Sequence, residues 1–285
     1  MRIANLRNRA VLLHDGRALD IETASGGLFS SDPQAVYTRW QEFQQWAGSA
    51  DYAAAEPFDV QELGAPVPAP AQIFAIGLNY TDHADEAELP YPEDLVVFTK
   101  FRSALAGPHA TVELPSDDVD YETELVVVMG QQVHRATEEE AWNAVAGLCV
   151  GQDYSERTVQ RRGPVPQFSL GKSYPNFAPF GPAVTTVDEL TDPDALSISA
   201  VLEGPGTEGK GDGGWMVQDG NTRDMIFSVP KTIANLSQVV TLYPGDLIFT
   251  GTPAGVGAPR GVLMRAGNVL TSTVEGIGSI RNEFV

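Results

Sequence analysis

The sequence predicts an α+β fold, with a small opening section ahead of a larger domain built mainly from short strands. Three observations carry this expectation. Short apolar, β-branched runs recur along the chain, among them Leu125–Met129, Leu148–Gln152 and Leu247–Thr250, and this is the composition of buried strands. Helical spacing of apolar residues is confined to a few stretches, chiefly Asp32–Trp46 and Asp224–Leu236. Between them Gly64-Ala-Pro-Val-Pro-Ala-Pro70 reads as a stiff connector, because proline presets an extended backbone. It divides residues 1–68 from residues 69–285.

In the opening section, Ala10–Leu13 and Ala18–Ile21 flank His14-Asp15-Gly16-Arg17, and Asp-Gly favours a hairpin turn. Val36, Tyr37, Trp40, Phe43 and Trp46 recur at helical spacing, with Ser31 or Asp32 as cap ahead of Pro33. In the main domain, Gln72–Gly77 and Leu95–Phe101 read as strands, with a short helix expected from Thr81. Thr137 and Glu140 form a capping box for a further helix. Strands are expected at Val184–Val187 and Leu196–Leu202. The glycine-rich Gly204–Gly214 reads as a hairpin tip, from which Trp215–Gly220 returns. The helix over Asp224–Leu236 is expected to be interrupted near Pro230. The alternation through Val269, Thr271 and Thr273, then Ile277–Ile280, closes the chain with strands.

Charge excludes several function classes. The 285 residues hold 18 Lys plus Arg against 38 Asp plus Glu, so the formal charge is 18 − 38 = −20. Such a field repels phosphate backbones and anionic lipid, which disfavours nucleic-acid and membrane-surface roles. With 42% hydrophobic and 20% charged residues the chain is globular in composition. The single cysteine, Cys149, lies in an apolar run and is read as a small packed hydrophobe. No apolar run approaches the ~18 residues of a membrane span, and Met1–Arg9 is not followed by a signal-like apolar segment. A cytoplasmic location is expected.

The chemistry concentrates around Val119–Gly130, which reads V-D-Y-E-T-E-L-V-V-V-M-G. On a strand, residues two apart point the same way, so Asp120, Glu122 and Glu124 would share one side. Carboxylates held close raise each other's pKa unless neutralised, and a hard divalent cation neutralises them well. A solvated edge strand with an acidic face is the competing explanation. Asp153, at the end of Leu148–Gln152, is a fourth acid for this cluster or, equally, a cap for a helix over Tyr154–Gln160. His83 and Glu86, at i and i+3 on the short helix, can touch, and a carboxylate beside an imidazole makes it a better base. Leu170-Gly171-Lys172-Ser173 is not the end of a phosphate loop, because that loop needs glycine where Pro166 stands. Gly251–Gly257 lacks a dinucleotide fingerprint but offers free amides suited to an anion.

Five stretches, taken together, resemble the fumarylacetoacetate hydrolase family: Gly77-Leu-Asn-Tyr-Thr-Asp-His83, Asp120-Tyr-Glu-Thr-Glu124, Gln152-Asp-Tyr-Ser-Glu-Arg157, Gly171-Lys-Ser173 and Gly251-Thr-Pro-Ala-Gly-Val-Gly257. Asn221–Phe227 lies between the last two, and the match spans roughly residues 70 to 285. The resemblance implies a mixed β-sheet roll or sandwich with peripheral helices, a small N-terminal domain and a homodimer. It implies Mg2+ or Mn2+, with Ca2+ as an occupant in crystals, held by Glu122, Glu124 and Asp153, with Asp120 outside the ligand set. It places the catalytic pair on His83 and Glu86, the active-site lysine on Lys172, and substrate contacts on Arg157, Gln160 and Thr252. Glu156 stands where alanine is usual, and Gln167–Leu170 replaces a stretch that often carries tryptophan; both are expected near the pocket rim.

The implied substrate is a small 2-oxo or β-diketo acid. The implied reaction is metal-dependent hydrolysis of a C–C bond of acylpyruvate type through a stabilised enolate. The alternatives are oxaloacetate decarboxylation or isomerisation of an unsaturated 2-oxo diacid on the same site, and, from a different class, a binding protein without catalysis.

Overall fold

The structure, a computed structural model, describes residues 1–211 and 213–285. Strands β1 (Arg2–Leu6), β2 (Arg9–His14) and β3 (Arg17–Asp20) precede helix α1 (Trp40–Ala47). Then come β4 (Ile73–Gly77), α2 (Thr81–Glu86), β5 (Val96–Phe98), β6 (Thr123–Met129) and β7 (Val145–Gln152). The short helix α3 (Arg157–Gln160) leads to β8 (Ala178–Thr185), β9 (Ser197–Glu203) and β10 (Trp215–Asn221). Helix α4 (Val229–Val239), β11 (Leu247–Phe249), β12 (Val269–Val274) and β13 (Gly278–Phe284) complete the chain. No helix among the described residues is long and apolar enough to cross a membrane.

The large sheet runs β3-β2-β1-β8-β7-β6-β11-β4-β5. It is mixed: β11 pairs with β4 in parallel, while β6 pairs with β7 and with β11 antiparallel. A second sheet runs β10-β9-β12-β13, with Thr111–Val112 added in parallel at its edge. The opening section enters the large sheet through β1, whose Arg2 and Ile3 face Thr185 and Val184 of β8. This is the α+β arrangement of mixed sheets, few helices and a small N-terminal β region expected from the sequence.

Burial explains the apolar run that drew attention first. Val126 and Val128 pack into one core with Phe180, Leu202 and Leu270, whereas Leu125, Val127 and Met129 pack into another with Ile233 and Ile280. Strand β6 is therefore covered on both faces, which is why its sequence is continuously apolar rather than alternating.

Several local expectations change. The stretch Asp32–Trp46 is a 3-10 turn over Ala35–Arg39 followed by α1, and the Asp32 side chain accepts from Gln34 N at 2.9 Å ahead of both. Pro230 begins α4 instead of interrupting it, one residue after the first helical position and behind the Ser228 cap; proline needs no amide partner there. Asp153 does not cap α3; Glu156 does, accepting from Val159 N at 2.6 Å. Strands β9 and β10 form the hairpin expected around Gly204–Gly214, of which Asp212 lies outside the described residues.

Candidate metal centre and active-site cavity

Strand register brings the acids together. Thr123 of β6 faces Gln152 of β7 in antiparallel pairing, so the start of one strand meets the end of the other. The amide of Asp153 then donates to the carbonyl of Glu122 at 2.9 Å. Glu122, Glu124 and Asp153 are all buried and each offers a carboxylate oxygen, these lying within 4.8 Å of one another. Three buried oxygen donors at this spacing fit a hard divalent cation.

Asp120 does not share their side. Regular pairing breaks at Tyr121 and Glu122, because Val119–Asp120 pairs with Ser155–Glu156 and β6 begins at Thr123. Alternation therefore fails across the gap. Asp120 instead accepts from Arg157 Nε and Nη2 at 2.9 and 2.5 Å, and from the amides of Gly257 and Ala258 at 2.7 and 2.9 Å.

Three cations sit among these acids. Lys172 Nζ lies 2.7 Å from Glu122 and 2.6 Å from Asp153. Arg157 Nη2 reaches Glu122 at 2.8 Å. Lys100 Nζ donates to Asp153 and to the carbonyl of Lys172. With Asp120 counted, the buried cluster carries 3 − 4 = −1. Glu124 is the acid without a cationic partner among the described residues, and only Gly251 N, at 2.9 Å, donates to it. Its pKa is accordingly raised, by burial first and then by the Asp153 and Glu122 charges. Burial also opposes ionisation of Glu122, but Lys172 and Arg157 outweigh it and hold that carboxyl below its usual range. Burial pushes the Lys100 ammonium down, against the pull of Asp153. At Lys172 burial acts the same way, yet Asp153 and Glu122 raise the pKa overall.

Lys100 was missed in the sequence. It stands at the end of the apolar run Leu95–Phe98 and its ammonium is wholly buried. The available signal was a lysine closing a strand in a chain with so few cations.

The glycine segment after β11 does bind anions, but they belong to the protein. Gly251 N serves Glu124, Gly255 N serves Glu86 at 3.0 and 3.2 Å, and Gly257 N serves Asp120. Gly251 takes φ +92°, and a Cβ there would meet that of Asn79 at 2.8 Å, so a side chain has neither the conformation nor the room. Asn79 anchors the start of the facing segment, bonding Phe227 and the Thr250 carbonyl. That places α2 against the glycine segment. His83 Nδ1 lies 3.7 Å from Glu86 Oε2, an ion-pair distance beyond hydrogen-bond reach.

These groups border a cavity of about 370 Å3. Its lining includes the polar side chains of His83, Glu122, Glu124, Arg157, Gln160, Lys172 and Thr252 and the apolar side chains of Leu78, Leu89, Val96, Phe98, Phe168 and Val256. The Thr252 hydroxyl is already engaged, donating to the Thr123 carbonyl and accepting from Gln218, each at 2.8 Å. Arg161, which the sequence reading passed over, also lines the cavity. Of the two departures expected at the rim, Phe168 lines the cavity, whereas Glu156 is buried capping α3.

Residues 72–285 match the fumarylacetoacetate (FAA) hydrolase C-terminal family. A human relative, oxaloacetate tautomerase FAHD2A, mitochondrial, is 37% identical, with 95% of this chain and 88% of that protein covered. A 2,4-didehydro-3-deoxy-L-rhamnonate hydrolase from Sphingomonas sp. strain SKA58 is 39% identical over 81% of this chain and 82% of its own length. Among solved structures, a Mycobacterium smegmatis protein provisionally called HpcE superposes with a TM-score of 0.92 at 45% identity, covering 100% of this chain and 99% of that one. A maleylpyruvate hydrolase from Sphingobium sp. SYK-6, in complex with manganese(II) and pyruvate, gives 0.79 at 25% identity, with 100% and 99% covered.

Proposed function

The chain belongs to the fumarylacetoacetate hydrolase family, and from that premise we propose that it hydrolyses the C–C bond of an acylpyruvate-type β-diketo acid with the help of Mg2+ or Mn2+. The observation that carries this reading is the placement of His83 on the same small cavity as the buried Glu122, Glu124, Asp153 cluster. A binding protein needs the second but has no use for the first. Glu122, Glu124 and Asp153 would hold the cation, which when bound polarises the oxygens of a chelated 2-oxo acid and so stabilises negative charge developing there.

The protein's own groups do the rest. Lys172 is held between Glu122 and Asp153, so its charge stands at the oxygen end of the substrate without reorganising. Gln160 turns its oxygen to Arg157, at 2.9 Å, which leaves its amide hydrogens for the substrate. His83 takes a proton from water as the hydroxyl adds to the distal carbonyl carbon. The bond from that carbon to the methylene then breaks, its electron pair passes to the pyruvate fragment as the enolate, and a proton returns to carbon. The products are pyruvate and a carboxylic acid. Glu86, tied to Gly255, keeps α2 and the glycine segment in one relative position around the base. A homodimer belongs to the same reading; sedimentation of only monomer at micromolar concentration would count against it.

A second reading has a specific support. The human relative matching nearly the whole chain is named an oxaloacetate tautomerase, and keto–enol exchange needs the same charge stabilisation and the same base without an attacking water. The deciding experiment supplies the Mn2+-loaded protein with acetylpyruvate and, separately, with enol-oxaloacetate. Metal-dependent release of pyruvate and acetate from the first supports the hydrolase. Silence there, with accelerated ketonisation of the second, replaces it with the tautomerase.

A further inference from the structure

Building on that reading, we propose that Tyr121 is a positioning residue for the base: its hydroxyl fixes the part of the glycine segment that anchors α2, and with it His83. Strands β6 and β11 pair antiparallel as far as Val126 and Phe249. The same partnership runs on beyond them through other bonds. The Leu125 carbonyl accepts from Thr250 N at 3.1 Å, Glu124 from Gly251 N at 2.9 Å, and the Thr123 carbonyl from the Thr252 hydroxyl at 2.8 Å. Tyr121 then reaches Gly255, and Asp120 reaches the Gly257 and Ala258 amides. The stretch that carries Glu122 and Glu124 therefore holds the glycine segment along its whole length. Tyr121 neither lines the cavity nor belongs to the acid cluster, yet its side chain is wholly buried and supplies one of these bonds.

The hydroxyl is used in both senses. It donates to the Gly255 carbonyl and accepts from Arg260 Nη2, each at 3.1 Å. Arg260 also gives Nη1 to the Val217 carbonyl of β10 at 3.0 Å. Gly255 is pressed against that same carbonyl: its φ is +101°, and a Cβ there would come within 2.2 Å of the oxygen. Gly255 is thus pinned between β10 and Tyr121, and its amide is directed at both oxygens of Glu86. Glu86 closes α2, one turn after His83. Among the described residues, the other side-chain bond from α2 to a distant segment is that of Thr81 to the Asp224 carbonyl, at 3.4 Å and at the opposite end of the helix. The hold on the end that carries the base therefore runs through Gly255. Without the hydroxyl, the Gly255 carbonyl and the Arg260 guanidinium both lose this partner, and the anchor of α2 loosens. Proton transfer is sensitive to such a change, because a displacement of about 1 Å can cost about 10²-fold in rate.

The test is a double-mutant cycle of Tyr121→Phe with Glu86→Ala, and Tyr154→Phe is the control. Tyr154 is also wholly buried and also adjoins a cluster acid, but its hydroxyl donates to Asn282 of β13, at 2.9 Å, instead of to the glycine segment. Turnover of acetylpyruvate and of enol-oxaloacetate by the Mn2+-loaded protein, calorimetric Mn2+ affinity, and amide hydrogen exchange over Thr81–Glu86 are measured. Tyr121→Phe is expected to lower kcat by about tenfold, with KM and Mn2+ affinity within about twofold of the parent, and to speed exchange in α2 by about fivefold. Tyr154→Phe is expected to change none of these. In the Glu86→Ala background, adding Tyr121→Phe should lower kcat by no more than about twofold, because the route is already cut. An undiminished kcat with unaltered exchange in Tyr121→Phe overturns the assignment. So does an equal loss in Tyr154→Phe, or the same loss with and without Glu86. If the parent consumes neither compound, the proposed reaction falls, and exchange in α2 still decides whether Tyr121 holds the helix.

Discussion

Replacing Lys100 by methionine removes a charge that supports the acid cluster from beneath. The ammonium donates to Asp153 and to the carbonyl of Lys172, and its side chain is wholly buried. Methionine fills nearly the same volume with a flexible apolar chain, so packing changes little and the loss is electrostatic. Breaking a buried ion pair from one side costs about 3–5 kcal/mol, because the surviving charge remains buried. Asp153 keeps Lys172 at 2.6 Å, which selects the lower end. The Lys172 carbonyl, left without its donor, adds about 1–3 kcal/mol. The expected loss is therefore about 4–6 kcal/mol. At roughly 2.1 cal/mol/K per residue, the unfolding entropy of a chain this long is about 0.6 kcal/mol/K, so the melting temperature should fall by about 7–10 °C. Calorimetry at pH 7 in EDTA reads this directly. Added Mn2+ should restore the variant more than it stabilises the parent, since a dication beside Asp153 takes over the missing neutralisation. A melting temperature within about 2 °C of the parent would refute the claim that Lys100 holds the cluster together.

Three other outcomes are expected. His83→Ala should lower acylpyruvate turnover by roughly 10²–10⁴ while Mn2+ affinity, measured calorimetrically, is retained; unaltered turnover would move the base elsewhere. At Gly257 a Cβ would meet the Val262 carbonyl at 2.0 Å and Asp120 Oδ1 at 2.5 Å, so Gly257→Ala should cost about 1–3 kcal/mol in urea unfolding, and an unmoved midpoint would contradict the packing described. Asp20 is held at a pKa of about 2, below its ordinary 3.8, chiefly by its bond to Arg9 against the opposing effect of burial. A depressed carboxylate stabilises the fold above its unfolded pKa and loses that contribution as pH falls through the folded value. Asp20→Asn should therefore cost about 1 kcal/mol near pH 7, allowing for solvent screening, and progressively less as pH falls from 3.8 through about 2; a cost independent of pH would exclude the ion pair as its source.

The sequence showed strands better than it showed helices, and local causes account for both. Strand β6 is apolar at every position because both its faces are covered, so its composition alone marked it. The hairpin at Asp15-Gly16 was legible because both residues take positive φ, 47° and 72°, a conformation that this pair of residue types favours. The helix expected over Asp32–Trp46 was longer than the α-helix that forms, because the same spacing of apolar residues suits a 3-10 turn followed by α-helix. Alternation along the strand pointed to Glu122 and Glu124 but wrongly added Asp120 and left Asp153 open as a helix cap; the set of three that gathers came from the family resemblance. How they are neutralised was not legible, because Lys100 comes from a loop, Arg157 from the start of α3 and Lys172 from the end of another short helix, and their meeting depends on tertiary register.

That neutralisation shapes what the centre can do. Two of the three acids, Glu122 and Asp153, already hold cations on the protein side, and only Glu124 lacks one among the described residues. A dication placed among the three would convert a cluster of charge −1 to +1, so the change in field falls mostly on Glu124 and on whatever anion lies above it. The lysines and the arginine thus leave the acids short of full neutrality by one charge. That remainder fits the divalent cation proposed for the three acids. Asp120 extends the same logic outward. By binding Arg157 and the Gly257 and Ala258 amides together, it links α3 to the glycine segment, and both contribute to the cavity lining. Asp120 therefore ties Arg157 to the glycine segment and, with Glu122 and Gln160, holds the guanidinium inward.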